Sequence, residues 1–215
     1  MPQSYQEILD AGYQADRDFC IATDHLDNID TCLLVAPHGG SIEPGMGDTM
    51  LAVAEEGQWA YYLFEGRLRR RNWARLHIPS TSFDEPTLLR LLPRTRFVLS
   101  FHGESGGRRR IIYVGGLYRQ GREILVAGLN HDLAELGIAA LDAMEAGAEE
   151  IAGRSQRNIT NHGTLRAGVQ LEFSQGVRTL LFRNLNQSRR RQPTEHLGVL
   201  ARSIDRALAR LTGGR

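Results

Sequence analysis

Two apolar runs in this chain stop at the same dipeptide. Leu33-Leu34-Val35-Ala36 is followed by Pro37-His38-Gly39-Gly40, and Phe97-Val98-Leu99-Ser100-Phe101 by His102-Gly103. Runs with so little polar alternation read as strands covered on both faces, as in the parallel sheets of α/β proteins. Ligands collect outside the carboxyl ends of such strands. The pattern therefore predicts two strands that deliver two imidazoles to one sheet edge. Glu43 lies in the glycine- and proline-rich stretch after the first run, so His38 and Glu43 are expected on one short loop at a strand end. Nitrogen and oxygen donors so placed suit a tetrahedral zinc site, with His102 as the third ligand. Each residue also has a plainer reading: a hydrogen-bonded structural histidine, or a carboxylate that solvates a turn.

The rest of the chain supports the same class. Strands are predicted at 31–36, 59–64, 96–101, 109–114 and 169–174, and helices at 49–56, 86–92, 118–136 and 194–211. Pro86 sits where a helix begins. Leu197, Leu200, Ile204, Leu208 and Leu211 form one apolar stripe in the last helix. In 169–174, Val, Leu and Phe alternate with Gln, Glu and Ser, the period of a strand with one polar face. Strands alternating with helices predict a single α/β domain over 1–215, with a mixed, mainly parallel sheet flanked by helices.

Composition narrows the function. The 215 residues are 41% hydrophobic and 24% charged, as expected of a globular domain able to bury a substantial core. All 26 basic residues are arginine, yet net charge is only +1, which argues against a general nucleic-acid binder. Two cysteines, Cys20 and Cys32, make no disulfide framework. There is no signal-peptide pattern and no apolar stretch of the ~18 residues that suggests a membrane span, so a cytoplasmic location is the default expectation. The runs 67–71, 108–110 and 189–191 concentrate arginine. Such runs are usually solvated, but gathered in space they would form a groove for a polyanion.

Seven segments, in order, resemble the conserved blocks of the poly-γ-glutamate hydrolases of bacteriophages and bacteria. They are Ala36–Gly45, Phe64-Glu65-Gly66, Leu76–Pro86, Ser100-Phe101-His102-Gly103, Val114-Gly115-Gly116-Leu117, Arg157-Asn158-Ile159-Thr160-Asn161 and Gly168–Ser174. The resemblance implies a fold like that of zinc carboxypeptidases and a zinc-dependent amidohydrolase. It implies Zn2+ held by His38, Glu43 and His102, with His77 and His162 as the competing histidines; His25, His131 and His196 fall outside the blocks. Glu172 resembles the catalytic glutamate of that architecture. On an alternating strand it shares a face with Gln170 and Ser174, expected to look into a cleft. Arg157, Asn158 and Asn161 resemble a substrate-binding block, and Arg178 is a further candidate for binding a substrate carboxylate. The implied substrate is polyglutamate or a smaller acidic γ-glutamyl compound.

The chain departs from the family's usual pattern at Met46-Gly47-Asp48, Glu104-Ser105, Tyr118 and Thr160. None of these is a proposed ligand or base, but several lie around the expected cleft. The competing readings are a metal hydrolase of another amide, a nucleic-acid protein using the arginine runs, and a metal-bearing binding protein without activity.

Overall fold

Three strands with almost wholly buried residues, Cys32–Gly40 (β2), Phe97–Gly103 (β4) and Val169–Phe173 (β7), form the middle of a seven-stranded sheet. The structure is a computed structural model, and residues 1–213 are described. The other strands of this sheet are Phe19–Asp24 (β1), Tyr61–Gly66 (β3), Ile111–Gly115 (β5) and Ala139–Asp142 (β6), in the order β1-β3-β2-β4-β7-β5-β6. β2 pairs in parallel with β3 and β4, β4 with β7, and β5 with β6. Only the β1–β3 and β5–β7 pairs are antiparallel. The mixed, mainly parallel sheet read from the sequence is thus observed. Phe182–Arg183 (β8) and Gln192–Pro193 (β9) form a separate small hairpin.

Helices cover both faces. Met46–Gly57 (α2), Arg119–Asp132 (α5), Gln175–Leu181 (α6) and Glu195–Thr212 (α7) pack Met50, Leu125, Leu129, Val177 and Ile204 into one core layer with Leu34, Leu99 and Leu171 of the sheet. Tyr5–Asp10 (α1), Asn72–Leu76 (α3) and Pro86–Leu91 (α4) contribute Ile8, Leu76, Leu88 and Leu91 to the opposite layer, with Leu33, Val35 and Val98. The predicted stripe of the last helix is buried throughout, as a wide apolar face requires. Glu85 caps α4 by accepting from the backbone N–H groups of Thr87 and Leu88, and Pro86 occupies the first turn as expected.

One irregularity decides what the sheet edge can do. In β2 and β4, alternate residues belong to opposite layers: Cys32, Leu34, Ala36, Phe97, Leu99 and Phe101 to the first, Leu33, Val35 and Val98 to the second. Continued from Ala36, that alternation would turn His38 toward the first layer, while His102 and Glu172 point to the second. However, Ala36 pairs with Leu63 and Gly39 with Glu65, so β2 carries one more residue than β3 across this span. The extra residue is a β-bulge, and Pro37 is tolerated there because the ladder is already interrupted. His38 consequently packs against His77 and Phe83 of the second layer. β2 therefore runs through His38 to Gly40, and His38 lies in the strand rather than on the loop expected from the sequence. Gly40 has φ +68°, and a Cβ there would lie 2.4 Å from the Gly66 carbonyl oxygen, so only glycine closes the strand this tightly.

Candidate active site

Glu43 is the hub of the sheet edge. The turn after β2 is set by the Glu43 N–H donating to the His38 carbonyl (2.9 Å), which brings the carboxyl back over the strand end. Its Oε2 accepts from the Gly103 N–H at the end of β4 (2.8 Å). Its Oε1 lies 2.9 Å from His38 Nδ1. His102 Nδ1 is 3.2 Å from His38 Nδ1 and 3.7 Å from Glu43 Oε2. The structure thus brings together the three expected ligands from two strands and a turn.

The proton placement at His38 follows from its other neighbour. Nε2 is 2.8 Å from the Ile78 carbonyl oxygen, which can only accept, so Nε2 carries the hydrogen. In the neutral ring Nδ1 is then a lone pair, facing a carboxylate and a second imidazole nitrogen. Acceptors this close repel unless a cation or a proton lies among them. Zinc bond lengths of about 2.0–2.2 Å to nitrogen and oxygen imply tetrahedral donor–donor separations of about 3.3 Å, the range seen here. The residues therefore fit a bound metal ion.

Burial pushes the His102 imidazole down to about 3, against the attraction of Glu43, so it is neutral at pH 7. Neutral imidazole is the metal-binding form. Its Nε2 is buried with no hydrogen-bond partner among the described residues. Burial alone would raise the Glu43 carboxyl; the His38 imidazole, with His77 and His102, outweighs it and holds the group well below the usual carboxylate range.

A fourth group joins the cluster. His77, next to the end of α3, stacks on His38 with ring centroids 3.9 Å apart, and its Nε2 is 3.7 Å from Glu43 Oε1. Ligand atoms of His38, Glu43 and His77 all lie within 4.8 Å of one another, so this set could also hold an ion. Half-exposed Trp73 stacks on the other side of His77 at 3.8 Å. Apolar Leu76 and Ile78 on either side favour a structural reading of His77 in sequence; its place in a family block is the one available signal. His162 lies elsewhere, with Nε2 3.1 Å from the Gln156 carbonyl.

Glu172 faces this cluster because β4 and β7 are parallel and in register. His102 is opposite Glu172 and Ser100 opposite Gln170, so both pairs share one face. Burial, reinforced by the negative charge of Glu43, raises the Glu172 carboxyl well above its ordinary value, although a bond from Gln170 opposes the shift. Gln170 Nε2 donates to Glu172 Oε1 (2.8 Å), and Asn158 Nδ2 donates to Gln170 Oε1 (2.9 Å). The chain Asn158–Gln170–Glu172 fixes the carboxyl and leaves Oε2 without a protein partner among the described residues.

The cluster opens into a cavity of about 1040 Å³ lined also by Pro79, Glu104, Arg154, Asn158 and Arg178. Arg178 is buried, and its guanidinium donates to the carbonyls of Phe173 (3.2 Å), Pro44 (3.3 Å) and Glu104 (2.7 Å). Gly103 makes room for it: a Cβ there would lie 3.0 Å from Arg178 Cζ.

Three residues of the expected site lie outside the cavity lining. Ser174 does not look into the cleft; its hydroxyl donates to the Arg109 carbonyl and accepts the Val177 N–H as the cap of α6. Asn161 is buried with both ends of its amide engaged, donating to the carbonyls of Gly153 and Ser155 and accepting from the N–H groups of Leu117 and Gly168. It shapes the loop behind the cavity. Arg157 is exposed and outside the cavity lining, where Arg154 stands instead.

Nitrogen and carboxylate donors collected at one sheet edge, with a spare carboxyl held opposite them, are the equipment of an α/β metal hydrolase. The chain belongs to the poly-gamma-glutamate hydrolase family, whose profile matches residues 3–202. It is 33% identical over 150 residues to the UPF0714 protein YmaC of Bacillus subtilis and 35% identical over 150 residues to the SPbeta prophage-derived UPF0714 protein YoqZ of the same organism. Each match covers 70% of this chain but only 60% of YmaC and 51% of YoqZ. A structure described as bacteriophage poly-gamma-glutamate hydrolase superposes with TM-score 0.87 at 28% identity, covering 99% of this chain and 98% of that one. A structure described as zinc-free apo YNDL superposes with TM-score 0.79 at 32% identity, covering 96% of each chain. The mixed sheet with flanking helices expected from the sequence is thus shared with that bacteriophage hydrolase over nearly its whole length. Among the described residues, no helix is long and apolar enough to cross a membrane.

Proposed function

We propose that this protein hydrolyses the γ-glutamyl amide bonds of poly-γ-glutamate with the help of zinc held by His38, Glu43 and His102. The observation that carries the reading is the meeting of His38 Nδ1, His102 Nδ1 and the Glu43 carboxylate, three electron-pair donors with a carboxyl of raised pKa opposite them. Zinc supplies Lewis acidity there, lowering the pKa of water to about 7 and polarising an amide carbonyl. The Ile78 carbonyl keeps His38 in the tautomer that presents Nδ1. Glu172 accepts a proton from water at its free Oε2 and returns it to the leaving nitrogen. The amides of Gln170 and Asn158 hold Glu172 in place for both transfers. Arg178 stabilises the negative charge that develops on the carbonyl oxygen. Arg154 and Asn158, at the cavity wall, receive substrate carboxylates. A cytoplasmic location is part of the proposal, and fractionation of producing cells before and after lysis checks it.

The purified protein should carry about one zinc per chain and lose hydrolysis of poly-γ-glutamate on chelation. His102→Ala should abolish metal retention, while His77→Ala should keep the ion. The reverse outcome would assign His77 as the third ligand; two variants that both keep stoichiometric zinc would end this account of the centre.

A further inference from the structure

The cleft is poorly suited to hold a long anionic chain by itself. Besides Glu43 and Glu172, which serve the centre itself, its lining holds Glu104, Glu149 and Glu150 against two arginines, Arg154 and Arg178. A γ-linked polyglutamate carries one free carboxylate per residue, so segments beyond the reacting bond meet like charge there.

The loop from β4 to β5 separates this cleft from a second hollow. Glu104 and Ser105 line the first, whereas Gly107, Arg108 and Arg110 line the second, a cavity of about 690 Å³ closed by Gln175, Gly176 and Thr179 of α6. Among the described residues, no carboxylate lines it. Arg108, Arg109 and Arg110 are all exposed, and none of them makes an ion pair among the described residues. The loop is braced in place. Gly176 N–H donates to the Gly107 carbonyl (3.1 Å), Gly107 N–H to the Ser105 carbonyl (2.8 Å), and a Cβ on Gly176 would lie 2.4 Å from the carbonyl oxygens of Arg108 and Arg109. Arg110 Nη1 is tied to the Leu136 carbonyl (2.8 Å), which fixes its guanidinium. A guanidinium fork grips a carboxylate through two parallel hydrogen bonds.

We infer that the Arg108/Arg110 hollow is an outer binding site for an anionic carboxylate polymer, gripping the chain several residues from the bond that is cut. This rests on the poly-γ-glutamate reading and explains how an acid-rich cleft works on a polyacid: affinity is supplied beyond the loop. Nucleic acid is the competing polyanion.

The test uses the zinc-loaded full chain. Arg108→Gln is the primary variant, because its side chain makes no hydrogen bond among the described residues; Arg110→Gln is the second. On long poly-γ-glutamate, KM should rise about tenfold with kcat unchanged, and the rise should shrink at high salt. On γ-glutamyl oligomers too short to span the loop, both constants should match the parent. Equal KM on the polymer, or equal losses on polymer and oligomer, would overturn the outer site. If the parent protein cuts neither substrate, the γ-glutamyl reading fails by itself. The site is then judged by binding of the polymer, and of single-stranded DNA, to Glu172→Gln and to its Arg108→Gln derivative. Polymer affinity unchanged by Arg108→Gln, or tighter binding of DNA, overturns it.

Discussion

At the residue scale, Glu172 sets function against stability. Its folded pKa lies well above the value of an unfolded glutamate, because burial and Glu43 disfavour the anion. Between those two pKa values the folded state binds more protons than the unfolded one, so stability falls as pH rises through that window. At neutral pH, above the ordinary glutamate value, the residue therefore contributes less to the stability of the metal-free protein than it does in acid. Glu172→Gln keeps the size and can still accept from Gln170. It should raise the Tm of the metal-free protein at pH 7 by a few degrees and leave it nearly unchanged at pH 4, while lowering kcat by about 10²–10⁴ with zinc retained. Melting curves at the two pH values and a metal assay check this. An equal shift at both pH values would mean that ionisation is not the cause. His102 has the opposite sign. With a folded pKa of about 3, it binds its proton only in the unfolded chain between about 6.5 and 3, so it contributes to acid loss of the metal-free fold in that range.

At the element scale, legibility follows burial. β2, β4 and β7 are recognisable because both their faces are covered, and α7 because its apolar stripe is long. β1 and β6 are edge strands with few buried positions, so their sequences carry little strand signal. α6 starts immediately after β7 and contains Gly176, which hides it behind the strand pattern. The helix expected over 118–136 ends as an α-helix at Asp132, and a single 3₁₀ turn, Ala134–Leu136, follows. Side-chain roles that depend on distant backbone, such as the cap made by Ser174 and the loop brace made by Asn161, have no local pattern to betray them. His77 belongs with these, since only tertiary packing brings it onto His38. The visible stripe of α7 also has a measurable weight. Ile204 is fully buried among α5, α7 and sheet residues. Ile204→Ala should destabilise the protein by about 2–5 kcal/mol in denaturant titrations without changing zinc content or the activity of the folded fraction.

At the scale of the whole molecule, the centre joins parts that the chain keeps far apart. His38 and Glu43 come from β2 and its turn, and His102 from β4, while Glu172 faces them from β7. The hydrogen bond from the Gly103 backbone to Glu43 ties the turn after β2 directly to the end of β4. An ion that binds only the folded state stabilises by mass action, about 2.7 kcal/mol at a free concentration one hundred times Kd. For a domain of this size that corresponds to a Tm rise of roughly 5–10 °C. Zinc titration followed by thermal melting should give that rise for the parent protein and none for His102→Ala.

The extra residue between Ala36 and Gly39 has a consequence for what change this stretch tolerates. Adding one position between Ala36 and His38, with the single bulge kept, carries the imidazole one step further along the alternation and swings it through the sheet into a hydrocarbon layer, where an unpaired polar ring costs several kcal/mol. Swapping one amino acid for another in that stretch leaves the count intact. Length, more than spelling, is therefore what this strand end has to preserve, and a single-codon insertion there would unmake the centre while leaving every ligand in the protein.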